Sequence, residues 1–345
     1  MSNSAGNQHQ GEDTTASSED TQSKSFAGTA RRLVGELGLL LVIVIFMVVM
    51  SILSPVFLSI ANLRNLVIQS TILAVLALGE TYVIIARGID LSVGSVMAVS
   101  SALGLGVIVY NGFPVVGGIA VSILVGIAFG LFNGWAVTRV GVTPLIVTLA
   151  ALSMGRGIVF VYTNGANITP VPEMFVTLGT ASILGVPVSV LVLVGLAVVA
   201  HLILARTVFG RQVYATGGNE LAARLAGIAT RRVQTLTYVI SGVTAAIAGI
   251  ILTSRLQSAG PRAGVGIELT VIATCVIGGT SLFGGQGKIF GTLLGVLLIS
   301  LVSNAINLLG VPPAWDNLVT GIVIFVAAVV DVYRRRYTTG SEAAG

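Results

Sequence analysis

The chain has 345 residues, of which 54% are hydrophobic and only 9% are charged, whereas a soluble globular protein carries about 25% charged residues. A soluble protein this apolar would expose large hydrophobic patches and aggregate, so the composition excludes an ordinary soluble fold and favours a protein embedded in lipid. The net charge of +5 does not indicate nucleic-acid binding, because the basic residues are scattered at the ends of apolar segments instead of forming a patch.

The two ends of the chain are polar. Residues 1–32 contain few apolar side chains and cannot bury enough surface to offset the entropy of ordering, so we expect a disordered cytoplasmic tail. Residues 335–345 form a second short tail, also predicted to be cytoplasmic. Between them, residues 33–334 form the predicted transmembrane domain.

Apolar segments long enough to cross a bilayer recur along this domain. A helix needs about 20 predominantly apolar residues to cross the hydrocarbon core. The sequence therefore predicts an all-α, polytopic membrane protein with about ten transmembrane helices. The predicted spans cover residues 37–53, 65–86, 91–109, 115–137, 145–162, 183–205, 233–253, 268–283, 289–310 and 315–332.

The basic residues indicate the orientation of these spans. When the N-terminus is placed inside the cell, most Lys and Arg residues fall on the cytoplasmic side, and Arg156 lies within a span. Only Arg64, Arg255 and Arg262 fall outside. The positive-inside rule therefore predicts that both termini are cytoplasmic.

Two spans contain segments that are too polar and too rich in glycine for a continuous membrane helix. GIDLSVGS, residues 88–95, opens the third span, and GGTSLFGGQGK, residues 278–288, closes the eighth. Both contain the spacing Gly-x-x-Leu-x-x-Gly. Paired broken segments often mark the substrate path of a transporter, so gating or structural roles are predicted for Gly88, Gly94, Gly279 and Gly285.

Ionisable residues inside membrane spans are functional candidates by default. Glu80 lies in the second span and Asp90 at the broken start of the third, both toward the predicted cytoplasmic end. A gating role and a structural role, such as pairing with Arg87 or capping a helix, both remain open.

Several neutral polar side chains also lie within the spans. Amides and hydroxyls suit the path of a neutral, polyhydroxylated solute, because they offer donors and acceptors without a trapped charge. The alternative is hydrogen bonding between helices with no ligand. The candidate pathway residues are Gln69, Asp90, Asn133, Ser300, Asn304 and Asn307.

The longest predicted cytoplasmic loop, residues 206–232, contains a short helix signal. Gly217 and Gly218 are expected to break the chain, and Asn219 can cap a helix that begins at Glu220. Leu221, Leu225 and Ile228 recur at helical spacing on this segment. A short amphipathic helix of this kind suits a groove in a partner protein, although an interfacial helix resting on lipid is the alternative.

The sequence contains no catalytic or nucleotide-binding signature. GGQGK, residues 284–288, fails the phosphate-binding pattern because Leu282 and Ile289 occupy positions that require Gly and Ser or Thr. Cys275 is the only cysteine, which excludes an intrachain disulfide and a Cys-based metal site. We therefore expect no catalytic residue, no metal and no cofactor in this chain, so that ATP and Mg²⁺ would be used by a partner subunit.

Four motifs, spread in order along the chain, resemble the permease subunits of ABC importers for ribose, xylose, galactose and related sugars. They are GIDLSVGS at 88–95, NGWAVTRVGVTPLIVTLAALSMGRG at 133–157, GRQVYATGGNELAARLAGI at 210–228, and GGTSLFGGQGKIFGTLLGVLLI at 278–299 followed by NAINLLGV at 304–311. The likeness extends from about residue 40 to residue 334. Arg87 departs from the family, which often has glycine there.

The resemblance implies a pore subunit in the bacterial cell membrane that imports a monosaccharide, a pentose or a hexose, by alternating access. It implies a homodimeric or pseudo-dimeric pore, cytoplasmic ATPase subunits and an extracytoplasmic sugar-binding protein. It also implies that residues 217–228 are the coupling helix gripped by the ATPase, with the coupling residues Gly217, Gly218, Asn219, Glu220, Ala223, Arg224 and Gly227.

Three alternatives remain open from the sequence. An ion-coupled secondary transporter would need no ATPase, and a membrane scaffold or channel would give no driven uptake. Within the same importer class, the solute could be a polyol, a signalling furanose or a nucleoside.

Overall fold

The structure is a computed structural model that describes residues 37–312 and isolated positions between 314 and 329. The described chain is almost entirely helical, with one two-stranded antiparallel hairpin, Ser182–Ile183 with Val186–Pro187. The helices are α1 (Leu37–Leu53), α2 (Ile60–Ile85), α3 (Val93–Asn111), α4 (Val115–Trp135, continued by a π-helical turn, Ala136–Val140), α5 (Pro144–Thr163), α6 (Glu173–Thr180), α7 (Val188–Arg206), α8 (Val208–Gly218), α9 (Glu220–Leu225), α10 (Thr230–Leu256), α11 (Ile267–Ile277) and α12 (Ile289–Leu308).

Seven helices of the described chain are long and apolar enough to cross a membrane: α2, α3, α4 with its π turn, α5, α7, α10 and α12. Helices α1 and α11 are apolar but shorter. These helices confirm the predicted all-α polytopic fold. The tenth predicted span, 315–332, falls largely on residues that the structure does not describe, and the predicted tails 1–32 and 335–345 lie wholly outside the described residues.

Two predicted boundaries were wrong. The eighth span was predicted over 268–283, but α11 ends at Ile277, because Gly278 and then Gly279, with φ 87°, stop the helix. At 1.5 Å per residue α11 is about 16 Å long, about half of a bilayer core. The sixth span was predicted from residue 183, but the hairpin occupies 182–187 and α7 begins at Val188, after Pro187.

Helix α2 lies at the centre of the bundle. All of its residues from Thr71 to Ile85 are buried, and α7, α10, α11 and α12 pack around it. Apart from Thr71, Glu80 and Thr81, this buried part of α2 is apolar on every side, as expected of a helix at the centre of a bundle.

Glycine spacing explains the close contact between α4 and α10. Gly126, Gly130 and Gly134 recur every fourth residue and therefore form one face of α4. A Cβ atom at any of these positions would lie within 3 Å of α10 backbone atoms, at Gly242, Val239 and Thr235 respectively. The two backbones approach this closely only because the side chains are absent.

The bundle has two distinct ends. The first, which we call the α8–α9 end, carries α8 and α9 together with the end of α2 and the starts of α10 and α12; the Tyr214 hydroxyl of α8 donates to the Gly287 carbonyl just before α12. The opposite end carries α6, whose Gly179 N–H donates to Ser254 Oγ near the end of α10. Residues that share an end are therefore neighbours despite large separations in sequence.

Candidate functional site

The α8–α9 end presents two short capped helices. Thr207 Oγ1 accepts a hydrogen bond from Gly210 N–H at the start of α8. Asn219 Oδ1 accepts one from Ala222 N–H at the start of α9, 3.0 Å away, as its position before Glu220 predicted. Glu220 also forms an ion pair with Arg224, 2.6 Å apart and one turn later. These bonds stabilise α9 although it is only six residues long.

The outer face of α9 carries two leucines that the described part of the chain leaves exposed. Leu221 is 66% exposed and Leu225 is 81% exposed, whereas Ala223 is buried. Because Ala223 packs inward, the two leucines are the large apolar side chains that α9 offers to another surface, beside the exposed Arg224. Gly227, with φ 83°, turns the chain away from this helix toward α10.

The two adjacent glycines before α9 do not break the chain as predicted, because both belong to the last turn of α8. The break falls one residue later, at Asn219, whose backbone is extended. Gly217 faces the bundle, where a Cβ atom would overlap the Ile85 carbonyl and lie 2.7 Å from the Gly285 nitrogen. Gly218, by contrast, faces open space.

Helix α8 rests on a junction between the end of α2 and the second of the two glycine-rich segments that the sequence singled out, residues 278–288. Gly285 N–H donates to the Ile85 carbonyl at the end of α2, 2.8 Å away. Gly285 has φ 74° and Gly284 has φ 81°, a left-handed conformation that favours glycine. A Cβ atom at Gly284 would lie 2.9 Å from the Arg87 side chain. The end of α2, the segment 284–287 and the end of α8 therefore share one contact region, which we call the glycine junction.

Just inside the glycine junction lie two buried carboxylates. Asp90 N–H donates to Glu80 Oε1, 3.1 Å away. Asp90 Oδ1 accepts hydrogen bonds from the Ser92 N–H and hydroxyl, and Oδ2 accepts one from the Ser241 hydroxyl of α10. Asn133 of α4 lies 3.5 Å from Asp90 Oδ1 and donates to Ser92 Oγ. This carboxylate cluster ties α2, α4 and α10 to the start of α3.

Arg87 does not neutralise the cluster. Among the described residues it forms no ion pair with Glu80 or Asp90, so the suggested pairing is absent. Gly88, also a predicted gating residue, lies against Tyr238, whose hydroxyl would be 2.7 Å from a Cβ at that position. Asp90 is stabilised by neutral donors, and Glu80 Oε2 is buried with no hydrogen-bond partner in the described chain.

The predicted pathway residues separate into different places. Asp90 and Asn133 lie together in the carboxylate cluster, whereas Asn304 exchanges hydrogen bonds of 2.9 and 3.0 Å with Asn62, at the opposite end of α2. The helical rise between Asn62 and Glu80 places the two groups about 27 Å apart. For Asn304 this is the helix-to-helix bonding that the sequence left as an alternative.

The remaining pathway candidates do not join either group through a side-chain hydrogen bond. Asn307 donates to the Ser303 carbonyl of its own helix at an exposed position. Gln69 is exposed and Ser300 is half-buried. The structure therefore brings together only part of the predicted polar path.

A second pair of charged residues, Arg156 of α5 and Glu268 of α11, flanks the start of α3, and both side chains are half-buried. Arg156 was noticed as an arginine within a span, but Glu268 was missed. The signal that could have found it is the one applied to Glu80, a carboxylate within a predicted span. Gly94, a predicted gating residue, provides the space for Glu268, because a Cβ there would lie 2.6 Å from Glu268 Oε2.

Comparison with known proteins places these features in a family context. The family profile described as "Branched-chain amino acid transport system / permease component" matches residues 62–328. No solved structure gives a significant match.

Three curated relatives are similar over most of their length. The chain is 44% identical over 308 residues to the ribose import permease protein of Bacillus subtilis (strain 168), covering 89% of this chain and 94% of that protein. It is 36% identical over 308 residues to the L-arabinose ABC transporter permease protein of Azospirillum brasilense, covering 89% and 91%. It is 34% identical over 295 residues to the D-allose transport system permease protein of Escherichia coli (strain K12), covering 85% and 90%.

Proposed function

The chain belongs to the family of transport-system permease components, and we propose that it is the membrane-spanning pore subunit of an ATP-driven monosaccharide importer. The observation that carries the proposal is the capped helix α9, which presents Leu221 and Leu225 at the end of the bundle and is joined through the glycine junction to the central helix α2. The family consists of transporter subunits, and this chain carries no nucleotide-binding motif visible in its sequence.

The α8–α9 end supports a docking role for an ATPase subunit. An exposed pair of leucines on a short helix fits a hydrophobic groove in a partner protein. We propose that this end is cytoplasmic, with both chain termini, and that the coupling residues are Gly217, Gly218, Asn219, Glu220, Ala223, Arg224 and Gly227. Ala223 and Gly217 would act from the inner side of the helices, where they pack on the bundle.

The glycine junction offers a route from the docking helices to the transmembrane helices. A displacement of α8 would press on the Ile85 carbonyl and on the 284–287 segment, because Gly217 leaves no gap between them. Close-packed interfaces transmit such displacements as discrete shifts. Alternating access would follow when these shifts move α2, α3 and α12.

The named relatives suggest the class of solute. They are permeases for ribose, L-arabinose and D-allose, so we propose a pentose or hexose as the substrate of this chain. We also propose a second copy of the chain in the pore and a separate extracytoplasmic binding protein. A polyol, a signalling furanose or a nucleoside is the alternative solute.

The proposal is tested by reconstitution. The chain is placed in proteoliposomes with its cognate ATPase and binding protein, and uptake of D-ribose, L-arabinose and D-allose is measured with ATP or with a non-hydrolysable analogue inside. We expect uptake of at least one sugar only with ATP, and no uptake without the ATPase subunit. Equal uptake with and without ATP would refute the proposal.

A second candidate function is ion-coupled transport, favoured by the two buried carboxylates Glu80 and Asp90. A carboxylate that binds and releases a coupling ion makes uptake sensitive to an uncoupler. In the same proteoliposomes, an imposed proton or sodium gradient should not drive uptake if the chain is an ATP-driven pore. Uptake driven by such a gradient alone would favour the second candidate.

A further inference from the structure

Arg156 and Glu268 are half-buried within the membrane domain and form no hydrogen bond to the carboxylate cluster in the described chain. Along α5, Arg156 is about 18 Å from the start of the helix at Pro144 and about 10 Å from its end at Thr163. Glu268 is in the first turn of the short helix α11. Two helices that begin within the bundle, α3 and α11, therefore have their first turns beside these side chains.

Close contacts place both residues against the same turn of α3. Gly94 is the residue beside Glu268, whose Oε2 would lie 2.6 Å from a Cβ there. The next residue, Ser95, packs against Gly155, the neighbour of Arg156, since its Oγ would lie 2.8 Å from a Cβ at Gly155. Arg156 and Glu268 also carry opposite charges. The pair thus forms one group around the first turn of α3.

Only one of the two terminal nitrogens of the Arg156 guanidinium forms hydrogen bonds in the described chain. Its Nη1 donates to the Ala263 carbonyl, 2.6 Å away, and to the Pro261 carbonyl, 3.1 Å away, in the segment that leads to α11. These two bonds fix the guanidinium plane. They therefore fix the position of the other terminal nitrogen, Nη2, which takes no part in either hydrogen bond.

The unused atoms are a donor and an acceptor of opposite charge. Arg156 Nη2 and Glu268 Oε2 are both buried, and neither has a hydrogen-bond partner in the described chain. No ion pair within 4.0 Å joins the two side chains. A buried charged atom without a hydrogen-bond partner destabilises the fold. Two such atoms in one group therefore favour a ligand that forms a hydrogen bond with each of them.

The chemistry of that ligand follows from the two atoms. A hydroxyl group can donate to a carboxylate and can accept from a guanidinium, so vicinal hydroxyls satisfy Glu268 and Arg156 together. The charges of the two side chains sum to zero, so the group gives no net preference for an anion or a cation. A neutral polyhydroxylated molecule meets both conditions.

We propose that Arg156 and Glu268 are the hydroxyl-binding residues of the transport path, with Glu268 Oε2 accepting from one sugar hydroxyl and Arg156 Nη2 donating to a neighbouring one. This inference rests on the proposed function, because it assigns the site at which the pore subunit contacts its monosaccharide. The site is reached when α3 and α11 move apart, since both helices contact it.

The inference is tested by direct binding to the reconstituted permease–ATPase complex without its binding protein, using saturation-transfer NMR. The probe is whichever of D-ribose, L-arabinose and D-allose the wild-type complex takes up best, together with its monodeoxy analogues. We expect Glu268→Gln to weaken binding by about tenfold, because hydrogen bonds to a charged group are roughly twice as strong as neutral ones. We also expect wild type to lose affinity for at least one deoxy analogue, and Glu268→Gln to lose that discrimination.

Two variants at the opposite end of the bundle from α8 and α9, where α6 lies, serve as matched controls. Arg255→Gln and Glu173→Gln remove the same charges outside the group, and both should bind the probe as wild type does. If Glu268 only stabilised the fold, Glu268→Gln would have a lower melting temperature but unchanged affinity and unchanged discrimination among deoxy analogues. That result would overturn the inference.

The deoxy series on wild type needs no variant to fold, so a wild-type complex that transports the sugar but binds every analogue equally would also overturn it. Loss of ATP-driven uptake by wild type itself would be a failure of the proposed function, and the inference would fall with it.

Discussion

At the residue scale, alanine substitutions at the neighbouring glycines Gly217 and Gly218 distinguish the effect of packing on stability from the effect of helix propensity. Gly217→Ala introduces a methyl group that overlaps the Ile85 carbonyl, and backbone cannot give way as a flexible side chain can. We expect a loss of about 1–3 kcal/mol of stability and loss of ATP-driven uptake, because the glycine junction is forced apart. Gly218→Ala is the matched control, since it places the same methyl group in open space.

The measurements are the melting temperature of the purified protein and uptake in proteoliposomes. Wild-type behaviour of Gly217→Ala, or an equal defect in Gly218→Ala, would contradict a tight contact between α8 and α2.

The two buried carboxylates should respond differently to neutralisation. Asp90→Asn replaces one acceptor oxygen by an amide donor that faces the donors of Ser92 or Ser241. We expect this change to cost about 1–3 kcal/mol, because a buried donor loses its acceptor. Glu80→Gln keeps an acceptor for Asp90 N–H and alters an atom that has no partner in the described chain, so its stability should change little.

Thermal unfolding and ATP-driven uptake of both variants check this contrast. Glu80→Gln should retain most of the uptake. If Glu80→Gln abolished uptake while its melting temperature stayed unchanged, Glu80 would have a transport role that an ATP-driven pore does not require.

Single residues also show that local contacts could be predicted from the sequence and that contacts between distant residues could not. Asn219 was identified as a helix cap because the capping bond is local and involves residues only three positions apart. Ser241, which donates to Asp90, and Arg156, which lies in the same group as Glu268, are distant in sequence from these carboxylates, and no spacing rule connects position 90 with 241 or position 156 with 268. Arg87, which adopts φ 67° at a position where glycine is frequent in the resembling family, marks a turn whose geometry is visible only in the fold.

At the scale of elements, the contact between α4 and α10 depends on missing side chains. Gly126→Ala would place a methyl group against the Gly242 carbonyl, and neither backbone can move without separating the helices. We expect destabilisation of about 1–3 kcal/mol, measured as a lower melting temperature. Gly195→Ala in α7 is the control, because a Cβ there meets nothing within 4 Å and alanine favours a helix by roughly 1 kcal/mol.

Destabilisation by Gly195→Ala that matched that of Gly126→Ala would show that glycine content, and not the α4–α10 contact, governs stability.

The lengths of the elements were predicted well where apolar composition alone decides them. Helices α3, α4, α5 and α12 coincide closely with apolar segments, because a span requires a minimum run of hydrophobic residues. Helix α11 was predicted too long, since Leu282 and Phe283 keep the segment apolar after Gly278 and Gly279 have already ended the helix. Hydropathy measures composition, whereas the end of this helix is set by backbone conformation.

At the scale of the whole molecule, the fold class and the family followed from composition and from motifs spread along the chain. The meeting of residues 85–87 with residues 284–287 beneath α8 did not follow, although the second of these belongs to the singled-out segment 278–288. Their contact depends on how α2, α8 and α12 pack, and a shared Gly-x-x-Leu-x-x-Gly spacing does not contain that information.

Site-directed labelling tests the central claim that α9 docks a cytoplasmic ATPase. The single cysteine, Cys275, is buried, so Leu225→Cys and Leu184→Cys each add one exposed thiol, the latter on the hairpin turn near the opposite end, where Leu184 is fully exposed. With a membrane-impermeant maleimide, we predict that Leu225→Cys reacts only in inside-out vesicles and is protected when the ATPase subunit is bound, while Leu184→Cys reacts only in right-side-out vesicles. Labelling of Leu225→Cys from outside, or no protection by the ATPase, would contradict the account.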